Sequence, residues 1–496
     1  MKSFITRLCV LIVLLAAVVK AQRPPEPYGV IPALRQLQWQ ELEMYGLIHF
    51  GLNTFQDKEW GSGDADPQLF NPAQFDAEQI VLAAKDGALK GLILVTKHHD
   101  GFALWPTKTT EYNITKSPWR NGQGDLVREF QQACHKHGLK FGIYCSPWDR
   151  NNKNYGRPEY LEIYREQLSE LYTNYGDLFI SWHDGANGGD GYYGGAREKR
   201  MIDRTTYYDW DNTWAMTRRM QPGAVIFSDI GLDVRWVGNE KGFAADTSWA
   251  TFTPVSPDGK GNPAPGYSKD EKAPGGTRNG KFWLPAECDV PLRPSWFYHA
   301  EHDSQVRTAA QLFDLYFKSV GRGANLDLGL APDKRGLLHE NDVKALKEFG
   351  ALVHETFAVN LAQGSEIKAS NVRGNNAKLF GPAQLLDDDR YSYWATDDYV
   401  TTPEVTLNLK SAKTFNVIRI RENIRLGQRI EACAIDAWLN GDWKEIASAT
   451  SLGANRLIRL PASVTTGKVR LRITNSPVGI ALGDFGLFAE PNLTTK

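Results

Sequence analysis

Polar side chains able to do chemistry collect where short apolar runs end, within the first two thirds of the 496-residue chain. His49 closes one run, Lys97-His98-His99-Asp100 follows a second, Tyr144 ends a third, His183-Asp184-Gly185 follows a fourth and Glu287 a fifth. Asp184 opens the loop Gly185-Ala-Asn-Gly-Gly-Asp190-Gly-Tyr-Tyr-Gly-Gly195, whose glycines let the backbone turn sharply and approach a ligand closely. Glu287 follows Trp283-Leu-Pro-Ala286 and enters a segment rich in aromatic and cationic groups, with Arg293 and Trp296. A carboxyl kept protonated by apolar surroundings, working beside an ionised one, is the pair that glycoside cleavage needs: an acid for the leaving oxygen and a nucleophile or base for the anomeric carbon. The plainer readings are a loop-capping aspartate for Asp184 and an ion pair with Arg293 for Glu287. Asp177 and Asp190 read as structural, the first because it precedes its strand and the second because it lies far out in the loop. Metal ligation is not expected: adjacent His98 and His99 on a strand point to opposite sides, and His135-Lys-His137 closes a helix before Gly138. As neutral imidazoles, His49, His98 and His99 suit sugar hydroxyls, each offering one donor and one acceptor. No G-x-S-x-G marks a serine nucleophile.

In a parallel barrel, catalytic groups stand at the C-terminal ends of strands, so these placements imply a particular scaffold. Apolar strand patterns at 45–50, 91–96, 139–144, 178–182, 224–228, 281–286 and 325–330 alternate with amphipathic helical patterns at 76–88, 125–137, 159–172, 207–220 and 304–319. An eighth strand is expected within 242–249. The rhythm predicts an α/β fold, a (β/α)8-like barrel, with an open doubly wound sheet as the alternative; no G-x-G-x-x-G follows the first strand. Beyond the helix expected at 341–355 only short alternating segments remain, such as 403–409, 415–421, 434–439 and 468–474, which predict a C-terminal β-sandwich. The expected division is 1–21 leader, 22–355 barrel and 356–496 sandwich.

Composition narrows the partners. With 57 basic and 58 acidic residues the formal charge is −1, and no basic stripe speaks for nucleic acid. Lys2 and Arg7, the apolar run at 10–19 and the small residue at Ala21 read as a cleaved leader, too short to span a bilayer, so export to a periplasm or to the medium is expected. Cys134, Cys145, Cys288 and Cys433 are widely spaced and read as core thiols. Twelve of the 15 tryptophans precede residue 300, a bias that suits sugar stacking as well as a large core. Asn113-Ile-Thr and Asn492-Leu-Thr would accept glycans only in a eukaryotic secretory path.

The strings Tyr45-Gly-Leu-Ile-His-Phe-Gly-Leu-Asn-Thr-Phe55, Glu59-Trp60, Thr96-Lys-His-His-Asp-Gly-Phe102, Trp182-His-Asp-Gly-Ala-Asn-Gly-Gly-Asp-Gly-Tyr-Tyr-Gly-Gly195, Arg235-Trp-Val-Gly-Asn-Glu240 and Pro285-Ala-Glu-Cys-Asp-Val-Pro-Leu-Arg-Pro-Ser-Trp-Phe-Tyr-His299 resemble the α-L-fucosidases of glycoside hydrolase family 29, over about residues 28–355. The resemblance implies a retaining, exo-acting hydrolase with Asp184 as nucleophile and Glu287 as acid/base. It also implies a fucose pocket lined by His49, Glu59, Trp60, His98, His99, Tyr144 and Arg235, with Trp296 against the sugar methyl group. The long loop after Asp184 and the Glu287-Cys-Asp-Val form are more like the branch that acts on α-1,3- and α-1,4-linked fucose of Lewis-type glycans. The partner is then a fucosylated oligosaccharide or glycoprotein glycan. His183 stands where a large apolar residue is expected; alternation turns it from Asp184, although an imidazolium there would act on the aspartate. The C-terminal region, with Asp387-Asp-Asp-Arg-Tyr-Ser-Tyr-Trp394 and Leu482-Gly-Asp-Phe-Gly-Leu487, is similar to discoidin-like or family-32 carbohydrate-binding sandwiches; it would bind sugar or buttress the barrel. No cofactor is required for such catalysis. Asp387, Asp388 and Asp389 would suit a structural calcium, or form a solvated acidic turn. The rival functions are a carbohydrate-binding protein on a barrel that has lost catalysis and a metal-dependent amidohydrolase.

Overall fold

The computed structural model describes residues 23–229, 231–256 and 271–491; the leader at 1–21 and Asn492 lie outside them. Eight parallel strands close into a barrel: β1 (Met44–Ile48), β2 (Gly91–Lys97), β3 (Lys140–Cys145), β4 (Ile180–Trp182), β5 (Val225–Ser228), β6 (Val234–Trp236), β7 (Ala286–Pro291) and β8 (Asn325–Leu330). Each pairs with its neighbours in order, and β8 returns to β1 with Met44 opposite Leu326 and Ile48 opposite Leu330. Alternation sorts the side chains. Tyr45, Leu47, Ile93, Val95, Tyr144, Ile180, Trp182, Phe227 and Val234 fill the interior, whereas Met44, Ile48, Leu92, Leu94, Leu326 and Leu328 face the helical layer.

The helices start where sequence chemistry places them. Asp76 accepts from the Glu78 and Gln79 amides (2.9 and 3.2 Å) ahead of Ala77–Asp86, Asp125 caps Leu126–His137, and Thr308 with Gln311 forms a capping box before Ala309–Lys318. Gly138 ends its helix in the left-handed region at φ 75°, where a side chain would be strained. Asn113 is buried and caps the turn Ile114–Lys116, so it presents no surface for a glycan.

Two strand expectations are corrected. Of the apolar run 281–286, Phe282–Trp283 pairs outside the barrel with Thr251–Phe252, and only its last residue, Ala286, opens the barrel strand. Its inward positions are Glu287 and Asp289 rather than apolar residues, which hid it from an apolar pattern. The eighth strand is Val234–Trp236, not part of 242–249.

The barrel ends in the helix Glu340–Phe357. An antiparallel domain follows: β9 (Glu366–Ala369), β10 (Trp394–Ala395), β11 (Glu404–Glu422), β12 (Ala432–Leu439), β13 (Asp442–Thr450), β14 (Arg456–Asn475) and β15 (Ala481–Phe488), in the order β10-β15-β11-β14-β12-β13 with β9 on β11. The long strands β11 and β14 slip register at Asn408/Lys413 and Phe415/Val417, bending as they cross the domain around Val405, Leu407, Ile418, Ile435, Val469 and Phe485.

This domain packs on the entry ends of the barrel strands, away from the mouth. Glu43, immediately before β1, meets Arg421 (2.8 Å) and Arg390 (3.4 Å). Burial pushes its carboxyl up, but Arg421, Lys90 and Arg390 outweigh that and hold it at about 2. Leu457 N–H donates to the Gly321 carbonyl ahead of β8, Ser248 N–H to Ser451 Oγ, and Ala250 N–H to Gln428 Oε1. Val417, Leu457 and Phe488 join the barrel's outer apolar layer. Asp387 and Asp389 spend their carboxylates on Ser392 and on turn amides, and Asp388 accepts from Gln363. Among the described residues no group of three or more His, Cys, Asp or Glu is gathered as a metal site.

Candidate active site

Asp184 stands two residues beyond β4 at the barrel mouth. Tyr144 Oη donates to its Oδ2 (2.8 Å) and the Ala186 amide to its Oδ1 (2.6 Å), while His99 Nε2 lies 3.8 Å from Oδ2. The side chain keeps 23% exposure, enough to meet a ligand from above. A Cβ at Gly185 would fall 2.2 Å from Asp229 Oδ1, so a larger residue there would push that carboxylate aside.

Three imidazoles wall the space over Asp184. The His98 and His99 rings lie 4.2 Å apart, His49 and His98 5.7 Å, and Trp296 covers His49 at 5.1 Å. Burial pushes all three down, His49 to about 3, and mutual repulsion adds to the effect at His49 and His98; at His99 the Asp184 charge opposes it. They are neutral at physiological pH and polar without carrying charge. Asn53 Nδ2 donates to His98 Nδ1 (3.3 Å), leaving Nε2–H free to donate. Ser146 Oγ donates to the Trp148 carbonyl and therefore accepts from His99 Nδ1 (2.7 Å), which leaves His99 Nε2 as an acceptor. His49 Nδ1 has no partner among the described residues.

The rim is aromatic. Trp60, 54% exposed, meets His99 edge-on at 5.2 Å and Trp148 at 5.5 Å. Trp296 has room because β8 carries Gly329, where a Cβ would lie 2.6 Å from its ring. Glu59 holds this rim together: its oxygens accept the Trp296 and Phe297 amides (both 3.0 Å) and His299 Nε2 (2.9 Å). His183 is buried against the outer helices, bonded to Tyr164 Oη (2.8 Å) and Ser181 Oγ (3.1 Å); burial lowers it to about 3, so no imidazolium stands beside Asp184.

Two residues expected here lie elsewhere. Arg235 points out of the barrel: its guanidinium donates to the carbonyls of Ala273 (2.9 Å), Trp249 (3.1 Å) and Leu284, and burial pushes it down to about 9. Its neighbour Trp236 faces inward and donates to Asp289 Oδ1 (2.8 Å). Glu287 is the second residue of β7, about 13 Å along the strand from its mouth end at Pro291. It is fully buried, bonded to Tyr45 Oη and to Trp182 Nε1 (2.7 Å), with the Trp182 ring between it and Tyr144. Its carboxyl thus faces Tyr45 and Trp182 rather than the open mouth.

Glu240 lies four residues beyond β6, at the end of the segment Arg235-Trp-Val-Gly-Asn-Glu240, and has no strand-end position that would have marked it in the sequence. Its loop is fastened to β7 by Val237 N–H on the Glu287 carbonyl (3.0 Å) and Gly242 N–H on the Asp289 carbonyl (3.1 Å). The Glu240 side chain is exposed, and its charge helps to hold the Asp289 carboxyl above its usual range, behind burial and Glu287. Among mouth carboxylates, Asp229 is tied to Arg204 and Glu59 to His299.

Residues 28–356 match the family model described as alpha-L-fucosidase, and 366–485 match the F5/8 type C domain. Alpha-L-fucosidase 1 of Arabidopsis thaliana is 39% identical over 94% of this chain and 89% of its own length. A glycoside hydrolase 29 family member from a rumen bacterium superposes with TM-score 0.83 at 38% identity, over 95% of this chain and 79% of that one. A Ruminococcus gnavus GH29 fucosidase, solved in complex with fucose, superposes with TM-score 0.83 at 30% identity, over 95% and 97% of the two chains. With a carboxylate-bearing strand end, a wall of neutral imidazoles and an aromatic rim on a closed parallel barrel, the chain belongs to the α-L-fucosidase family, glycoside hydrolase family 29, and hydrolyses fucosylated glycans.

Proposed function

We propose that this α-L-fucosidase is retaining and exo-acting, cleaving terminal α-1,3- and α-1,4-linked fucose from Lewis-type glycans, with Asp184 as nucleophile and Glu240 as acid/base. The observation that carries the reading is the aim of Asp184 into the mouth by Tyr144 and the Ala186 amide. An Asp184 oxygen bonds to the anomeric carbon as the C–O bond to the aglycone breaks, and Glu240 gives the departing oxygen its proton. Water then attacks the same carbon, Glu240 takes the water's proton, and the Asp184 ester bond breaks, returning the original anomeric configuration. Glu240 suits the second role because it leaves a strand end into the mouth and accepts no hydrogen bond among the described residues, whereas Glu287 lies below the reacting centre.

Neutral His49, His98 and His99 fit hydroxyl recognition, and Trp296 and Trp60 give apolar faces to a methyl group and a sugar ring. The branched-linkage preference rests on the loop after Asp184, which rises as a hairpin of Gly189–Gly191 with Glu198–Arg200 beside the mouth and offers a surface to a second sugar branch. No cofactor enters these steps. The leader at 1–21 supports export to a periplasm or the medium, where such glycans occur.

The test is chromatography and early-time NMR of the released anomer, with 3-fucosyllactose, a Lewis-type trisaccharide, 2′-fucosyllactose and an aryl fucoside as substrates. Release of α-fucose from the branched substrates is expected. β-Fucose as first product would overturn retention, and preferential cleavage of the 2′-linked or aryl substrate would overturn the linkage assignment.

A further inference from the structure

The barrel interior holds three carboxyls where apolar side chains normally pack. Glu287 and Asp289 project inward from β7 and Asp327 from β8, all buried. Asp289 is bonded to Trp236, and both Asp327 oxygens lack a partner among the described residues. Burying such groups is costly, so a fold that only needed filling would use leucine or valine here. Glu287 differs from the other two in what it touches. It receives the Tyr45 hydroxyl, itself supported by Trp39 Nε1 (3.1 Å), and it takes the Trp182 indole N–H at 2.7 Å. The Trp182 ring lies on Phe227 (4.2 Å, 16° between planes) and against Tyr144 (4.9 Å, 33°), and Tyr144 Oη donates to Asp184 Oδ2. The contacts form one column rising from the floor to the mouth: Glu287, Trp182, Tyr144, Asp184.

We infer that Glu287 is a positioning residue for the nucleophile: by anchoring the Trp182 indole N–H from below, it fixes the ring against which Tyr144 packs, and so the direction in which Tyr144 points the Asp184 carboxylate. The inference rests on Asp184 as nucleophile. An indole without its anchor can turn in its plane, Tyr144 Oη then shifts, and displacements near 1 Å at a reacting atom cost about a hundredfold in rate.

The variants are Glu287→Gln, which keeps a carbonyl for the indole and a polar partner for Tyr45, Glu287→Leu, which removes the acceptor at similar volume, and Trp182→Phe, which keeps an aromatic ring without the donor. Each is assayed with 3-fucosyllactose and an aryl fucoside at several pH values, beside a thermal melt. Glu287→Gln is expected within about threefold of the parent, and Glu287→Leu about a hundredfold lower in kcat, equally for both leaving groups and with little change in KM. Trp182→Phe should show a comparable loss, and the Trp182→Phe, Glu287→Leu double variant should lose no more than the worse single one. If Glu287→Leu fails to fold, Trp182→Phe and Glu287→Gln carry the test. A folded Glu287→Leu or Trp182→Phe with parental kcat would reduce the column to packing and overturn the inference. Loss in Glu287→Gln confined to the poor leaving group would make Glu287 the acid/base and overturn it too. Full activity in Asp184→Ala would sink the nucleophile assignment separately, whatever the Glu287 variants do.

Discussion

The barrel uses carboxyl groups at both ends, and the two sets do opposite things. At the mouth Asp184 and Glu240 are exposed enough to meet substrate. Inside the barrel Glu287, Asp289 and Asp327 are sealed: burial pushes Glu287 up to about 7, and burial together with the Glu287 charge pushes Asp289 and Asp327 well above the usual range. On the reading proposed above, the same functional group is a reagent in one place and a polar strut in the other, and what separates the two is burial within the barrel rather than residue type. The C-terminal domain contacts the strand entries, through Glu43 with Arg421 and Arg390, and leaves the mouth clear.

The strongest way to break this comparison is at the mouth. Asp184→Ala should lower kcat by roughly four orders of magnitude or more, and azide should restore turnover with fucosyl azide as product; a variant fully active without azide would end the assignment. Glu240→Ala comes next, expected to lose about a hundredfold or more on 3-fucosyllactose and much less on an aryl fucoside whose leaving group needs no proton. Similar losses on both substrates would return Glu240 to a binding role.

At the other end the readout is stability. Glu43 has a depressed carboxyl, so the stability it contributes is present above its unfolded value near 4.5 and is lost as pH falls towards 2. Glu43→Gln should cost about 3 kcal/mol at pH 7 and flatten the acid limb of the melting profile, with kcat per folded molecule unchanged. The floor acts with the opposite sign. Because Glu287 is raised to about 7, its neutral form favours the fold, and that contribution is present below pH 4.5 and fades as pH rises through 7. Asp289 and Asp327, raised in the same direction and facing the same space with Tyr45, extend the effect to higher pH. Melting of Glu287→Gln between pH 4.5 and 8 should therefore slope less steeply than the parent; an unchanged slope would remove Glu287 from the titrating set. The smallest effect is expected at the rim, where Trp60→Ala should raise KM several-fold and leave kcat nearly untouched, since its ring is half exposed and touches no reacting group.

Much of the scaffold was legible because most barrel strands are apolar on both faces. The runs at 45–50, 91–96, 139–144, 178–182, 224–228 and 325–330 all overlap barrel strands. Val234–Trp236 escaped notice because it is three residues long with an arginine on its outer face. Ala286–Pro291 did so because its inward positions are acids, and the apolar run just before it drew the strand boundary five residues too early. That misplacement moved Glu287 from the floor to the mouth on paper. His49, His98, His99, Tyr144 and Asp184 could be read directly, since each lies at or just beyond the end of an unambiguous strand, whereas the anchoring of Trp296 by Glu59 depends on two distant loops meeting.

By itself, then, the sequence determined which residue types could react, where most of the strands that carry them lie and how side chains alternate between strand faces, because that alternation has a period of two residues. Height in the barrel was decided only by the tertiary structure. Eight staggered strands place residues at the same distance from their own strand ends at different levels, and the level depends on register with neighbours far away in the chain. Tyr45, Trp182 and Glu287 meet through such registers, and their meeting makes Glu287 part of the floor.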